Sequence, residues 1–134
     1  MKVLYADNYI VVCIKPCGVL STDEPGGLPE LLRKQLGTEN IRTVHRLDRV
    51  VGGMMLLART RHAASDLGKQ IMEEGIGKEY LAVVEGCPEE TKGSMRDYLR
   101  RDKEEKKTYV SAQAGADTKE ALLDYEVLET KDSL

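Results

Sequence analysis

Apolar and polar positions change period several times along this chain, and each change predicts an element. "VLYADNYIVVCIKP" (residues 3–16) holds two short apolar runs on either side of Ala6-Asp7-Asn8, which predicts two strands joined by a tight turn. The second run, Tyr9 to Ile14, is apolar on both faces and so predicts a central strand. Lys15-Pro16 ends it, because proline has no N–H for a ladder. "CGVLSTDEPGG" reads as a loop, and "LPELLRKQLG" as a short helix with Leu28, Leu31, Leu32 and Leu36 at helical spacing and Gly37 closing it. A strand over Met54–Ala58 follows, then a helix from about His62 to Glu74. Thr60 is its candidate N-cap, Ala64, Leu67 and Ile71 are its stripe, and Gly75 suits its C-terminal cap.

"KEYLAVVEG" (78–86) is the strongest strand pattern in the chain, apolar on both faces from Tyr80 to Val84 and stopped by Gly86-Cys87-Pro88. "GSMRDYLRRDKEEKKTYVSA" predicts a hairpin with charged residues at its tip. In "ALLDYEVLET", Ala121, Leu123, Tyr125 and Val127 share one face, as a half-buried strand requires. The ending "KDSL" has no terminal signature, so a continuation is expected, and a strand without its neighbours would present an exposed edge.

Composition narrows the picture. The 134 residues suit about one domain. With six Tyr, no Phe and no Trp, the core must rest on aliphatic side chains. No apolar run approaches the roughly 20 residues of a membrane span, and "MKVLYADN" lacks the features of a signal peptide. A cytoplasmic protein is expected. Three cysteines do not suit a closed disulfide framework. Cys13 and Cys17 have no second Cys/His pair to complete a metal site, and Cys13 reads as a reduced structural thiol. A net charge of −3 and a pI near 5.5 count against gripping nucleic acid through bulk charge. Arg42, Arg46, Arg49, Arg59 and Arg61 nevertheless fall within twenty residues. On charge alone, a solvated face with scattered ion pairs is the favoured reading.

Candidate chemistry centres on "HRLDRVVGGMMLLART" (45–60), where charged residues stand immediately before a strand. Asp48 is the only acid between Asn40 and Asp66, and the arginines around it favour its charged form. That suits a nucleophile or an electrostatic stabiliser. A glycosidase needs a partner carboxylate, and no spacing pairs Glu74, Glu79 or Glu85 with Asp48. There is no phosphate-cradling glycine loop and no "GxSxG". Taken singly, "HRLD" is most simply a structural Asp–Arg pair, Tyr80 a core residue, and His45 a loop-orienting group.

Taken in order, "KPCGVLST" (15–22), "HRLDRVVGGMMLLART" (45–60), "KEYLAVVEG" (78–86) and "KEALLDYEVLE" (119–129) resemble the RluA-type pseudouridine synthase family. The resemblance implies an α+β fold: a mixed, mostly antiparallel sheet with packed helices, incomplete at the C-terminus. Residues 1–134 would be the N-terminal portion of a single catalytic domain, with no appended RNA-binding domain. It implies isomerisation of uridine to pseudouridine in ribosomal or transfer RNA, without metal or organic cofactor. Asp48 falls on the essential aspartate, acting at the ribose or the uracil as the C1′–N1 bond breaks, and is expected to be buried. Arg46 matches the arginine that holds the target nucleotide out of the stack, and Tyr80 the tyrosine that packs on the flipped uracil. His45 is carried as a further substrate contact, and Lys15, Arg42 and Arg49, with Arg59 and Arg61, as a phosphate-binding surface on charge alone.

Two departures stand out. "RVVGG" replaces the Thr-Ser-Gly-like sequence usual after "HRLD", and nothing matches the later "TGRxHQIR"-like segment whose arginine pairs with the aspartate. The second reading is therefore a non-catalytic RNA-binding module or an inactive fragment. Partners expected are RNA, no membrane and no evident protein, with self-association through an exposed sheet edge.

Overall fold

A computed structural model describes residues 1–132; Ser133 and Leu134, the last half of "KDSL", lie outside the described residues. The chain divides into two compact units, the first Met1–Glu79 and the second from Tyr80 onward.

The first unit is a four-stranded antiparallel sheet with two helices. Its strands are β1 (Val3–Ala6), β2 (Ile10–Lys15), β3 (Arg42–Thr43) and β4 (Gly53–Ala58), in the order β1-β2-β4-β3. The predicted turn forms because the Asp7 carboxylate accepts from two backbone amides, Tyr9 at 2.7 Å and Ile10 at 2.8 Å. Those two bonds hold the Asp7 carboxyl below the usual carboxylate range. β2 is central, pairing Val11 with Leu57 and Cys13 with Met55 across to β4. Val11 and Cys13 are buried, and burial pushes the Cys13 thiol up to about 11.

Helix α1 (Leu28–Leu36) covers this sheet with Leu28, Pro29 and Leu32. Pro29 sits in the first turn, where its missing N–H costs nothing, and Gly37 takes the left-handed conformation (φ 62°) that ends the helix. Ile41, Leu47, Met55 and Leu57 complete the core. Helix α2 (Arg61–Met72) is capped by Thr60, whose side chain accepts from the Ala63 amide at 3.0 Å. Its stripe of Ala64, Leu67 and Ile71 is only half-buried. The left-handed residue after it is Glu74 (φ 56°) rather than Gly75, whose amide instead reaches the Gln70 carbonyl.

The second unit is a three-stranded antiparallel sheet, β6-β5-β7, built from β5 (Lys92–Asp102), β6 (Lys107–Ser111) and β7 (Thr118–Glu126). The predicted hairpin is β5–β6. Asp102 organises its tip by accepting from the Glu104 and Glu105 amides, both at 2.9 Å. β7 pairs with the other edge of β5, and the Tyr125 side chain lies over Gly93, where a Cβ would meet its hydroxyl oxygen at 2.7 Å and its ring at 2.8 Å. No described residue of this unit is buried.

The strand expected over Tyr80–Val84 does not form; these residues have no regular structure and are exposed. A strand apolar on both faces is stable only where both faces are covered. No described strand pairs with this segment, so its pattern has nothing to answer it.

Candidate active site

"HRLDRVVGG" forms the link between β3 and β4. After a bend at Val44-His45 it has no regular structure as far as Asp48, and exposure alternates: His45 half-buried, Arg46 exposed, Leu47 buried, Asp48 exposed. Leu47 is part of the hydrophobic core, so the segment is tied down at its middle and displays Arg46 and Asp48 on either side. A tight turn follows, closed by the Val51 amide donating to the Asp48 carbonyl at 3.0 Å. "RVVGG" therefore keeps the turn without the hydroxyls usual in the family. Gly52 permits a close approach: a Cβ there would meet Cys17 Sγ at 3.0 Å.

The "KPCGVLST" loop holds the two residues that flank Asp48. Ser21 Oγ donates to the Leu47 carbonyl at 2.5 Å and accepts from the Leu47 amide at 3.0 Å. The Arg49 carbonyl accepts from the Gly18 amide at 2.7 Å and from Lys15 Nζ at 3.3 Å. Arg49 Nε returns a bond to the Gly18 carbonyl at 3.0 Å. Thus the first two sequence motifs, thirty residues apart, meet as one backbone-locked structure.

The expected site residues meet different fates. Asp48 is exposed, not buried as expected, and among the described residues no ion pair joins it to Arg42, Arg46 or Arg49. Its carboxylate stands open at the end of a rigid segment, able to meet an incoming group.

Lys15 is a correction. It is 0% exposed, and its Nζ donates to the carbonyls of Val19 (2.7 Å), Pro16 (3.1 Å) and Arg49 (3.3 Å). Three N–H bonds meet three acceptors, leaving none for a phosphate. Charge counting missed this because a lysine on the alternate face of a central strand must follow that face inward.

Nε2 of His45 accepts from the Leu56 amide at 3.0 Å, and burial, with a smaller contribution from Lys78, holds its pKa below 6.5. That bond needs a bare Nε2, so His45 serves here as the loop-orienting group that its position also suggested.

Arg42 and Arg49 are exposed; Arg59 donates to the Asp7 carbonyl at 2.5 Å and Arg61 begins α2. Tyr80 belongs to the second unit and is 62% exposed. Ser21 was not singled out in the sequence, since a serine in a Gly/Pro-rich loop carries no pattern.

Comparison with known proteins gives the family and the fold. The family model described as RNA pseudouridylate synthase matches residues 8–133. The chain is 38% identical, over 63% of its length, to the ribosomal large subunit pseudouridine synthase C of Buchnera aphidicola, of which it covers 28%. It is 31% identical, over 96% of its length, to the tRNA pseudouridine synthase C of Haemophilus influenzae, of which it covers 55%. Human RNA pseudouridylate synthase domain containing 4 shares the fold at a TM-score of 0.77 and 21% identity, over 97% of this chain and 54% of that one. This chain belongs to the RNA pseudouridylate synthase family and is of the RluA type. It spans about half, or less, of the length of these relatives.

Proposed function

We propose that this chain is the N-terminal portion of an RNA pseudouridine synthase catalytic domain, acting on uridine in ribosomal or transfer RNA with Asp48 as the essential carboxylate. The observation that carries this reading is the open Asp48 side chain on a segment whose backbone is locked on both sides, in a chain of this family. Catalysis needs the reacting group held within fractions of an ångström, and this link supplies that hold.

Uridine within a helix hides its glycosidic bond, so the base is extruded at a cost of roughly a few kcal/mol. Arg46, exposed beside Asp48, takes the vacated space, and Tyr80 stacks on the freed uracil, an interaction of about 1–3 kcal/mol per base. Asp48 acts as the C1′–N1 bond breaks. The uracil turns and C1′ joins C5, the C5 proton leaves and N1 gains one, so the product is an isomer. Arg42 and Arg49 remain for phosphate contacts, and His45 reaches the substrate only through its edge away from Leu56. Among the described residues no helix is long and apolar enough to cross a membrane; a cytoplasmic setting and pairing between exposed strand edges belong to the same reading.

Tritium release from RNA labelled at uridine C5 tests it, with ribosomal and transfer transcripts offered to this chain and to Asp48→Asn. Release that Asp48→Asn abolishes is the expected result. Release that survives in folded Asp48→Asn overturns the role of Asp48. Salt-sensitive RNA binding without release favours the second reading, a non-catalytic RNA-binding module.

A further inference from the structure

We infer that Ser21 is a positioning residue for Asp48, acting through the backbone of Leu47; its role in the reaction rests on the function proposed above. Ser21 lies in the loop between β2 and α1, is 3% exposed, and sits twenty-six residues before Leu47 in the chain. A hydroxyl has one proton to give and lone pairs to receive. Here the single proton goes to the Leu47 carbonyl at 2.5 Å, and a lone pair takes the Leu47 amide at 3.0 Å. Met55 Sδ, 3.4 Å away, is a neighbour and not a second target for the same proton. One oxygen atom thus closes both backbone groups of the residue between Arg46 and Asp48, as a partner strand would.

No other described bond does this for Leu47. Its side chain is in the core and fixes the height of the segment, but a side chain alone leaves the peptide planes on either side free to rotate. Rotation of the 47–48 peptide swings the Asp48 Cα–Cβ direction, the quantity that must be right for attack. The Arg49 end is held differently, by Lys15, Gly18 and the turn to Val51. Ser21 is the side-chain clasp on the Arg46 side of the carboxylate.

Two measurements on the full chain test this: amide hydrogen exchange at Leu47, and C5-tritium release with kcat and KM separated. Ser21→Ala removes both bonds. Exchange at Leu47 should rise about 10²-fold while β2 and β4 amides stay protected. A displacement of about an ångström costs on the order of 10²-fold, so kcat should fall by that factor with KM within about twofold. Ser21→Cys keeps the shape and weakens both bonds; it should give intermediate values, and it supplies the measurement if the alanine variant does not fold. Unchanged Leu47 exchange in a folded variant overturns the clasp. Faster exchange with unchanged kcat overturns the positioning role. If the parent chain releases no tritium, the functional reading fails by itself, and exchange still decides whether Ser21 holds the Asp48 segment.

Discussion

The two units of this chain obtain their order from different sources. In Met1–Glu79, Val11, Cys13, Leu28, Leu32, Ile41, Met55 and Leu57 are essentially removed from water, and the Asp48 link is fastened to that core through Leu47. From Tyr80 onward no described residue is buried. There the sheet is held by ladders, by Asp102 at its tip, and by exposed cross-strand pairs such as Arg96 with Glu120. Burial of apolar surface contributes about 25 cal/mol per Å², whereas exposed ion pairs contribute about 0–1 kcal/mol. A precise site needs the first kind of support. The Asp48 segment has it, and the second unit, with Leu122 and Leu123 mostly exposed, does not.

The comparison can be broken most forcefully in the core. Leu57→Ala should destabilise the first unit by roughly 2–5 kcal/mol, while Leu122→Ala should change stability by about 0.5 kcal/mol or less. Thiol labelling reads this directly: Cys17 and Cys87 are exposed and react at once, and buried Cys13 reports opening of the first unit. Equal effects of the two substitutions on Cys13 labelling would dissolve the contrast.

A smaller effect is expected at Lys15. Lys15→Met removes the donor from three carbonyls in a buried setting, so the first unit should lose roughly 1–3 kcal/mol. A lysine serving phosphates would instead leave stability unchanged and weaken RNA binding.

The smallest effect concerns pH. Burial lowers the folded pKa of His45 below 6.5, so its neutral form is the one the fold favours. Its contribution is complete above 6.5 and is lost as pH falls through the folded value. The protection of Cys13 from labelling, taken relative to exposed Cys17 at the same pH, should therefore fall on acidification, and His45→Gln, which still accepts from Leu56, should flatten that dependence. An unchanged slope in His45→Gln would assign it elsewhere.

Local patterns were legible wherever the tertiary partner is near in sequence or common in kind. Tyr9–Ile14 and Met54–Ala58 read as strands and are β2 and β4, since each apolar run found the other and a helix to cover it. The Asp7 turn, the Gly37 stop and the Thr60 cap follow from single side chains acting on adjacent backbone. Tyr80–Val84 has the same apolar character as β2 but remains irregular, because a two-sided strand is a demand for neighbours that its own residues cannot meet.

By itself the sequence determined the class of protein, through four motifs in order, and it nominated Asp48 and Arg46 as candidates for the chemistry. It could not assign Lys15 or Ser21. A lysine and a phosphate surface are linked by charge, yet the alternation of β2 carries Lys15 inward to three carbonyls. Nor does any local signal mark a loop serine as the partner of a residue twenty-six positions away. Motifs record which groups react; only the closed chain decides which groups hold them, because hydrogen bonds between distant backbone segments exist only after the core has brought those segments together.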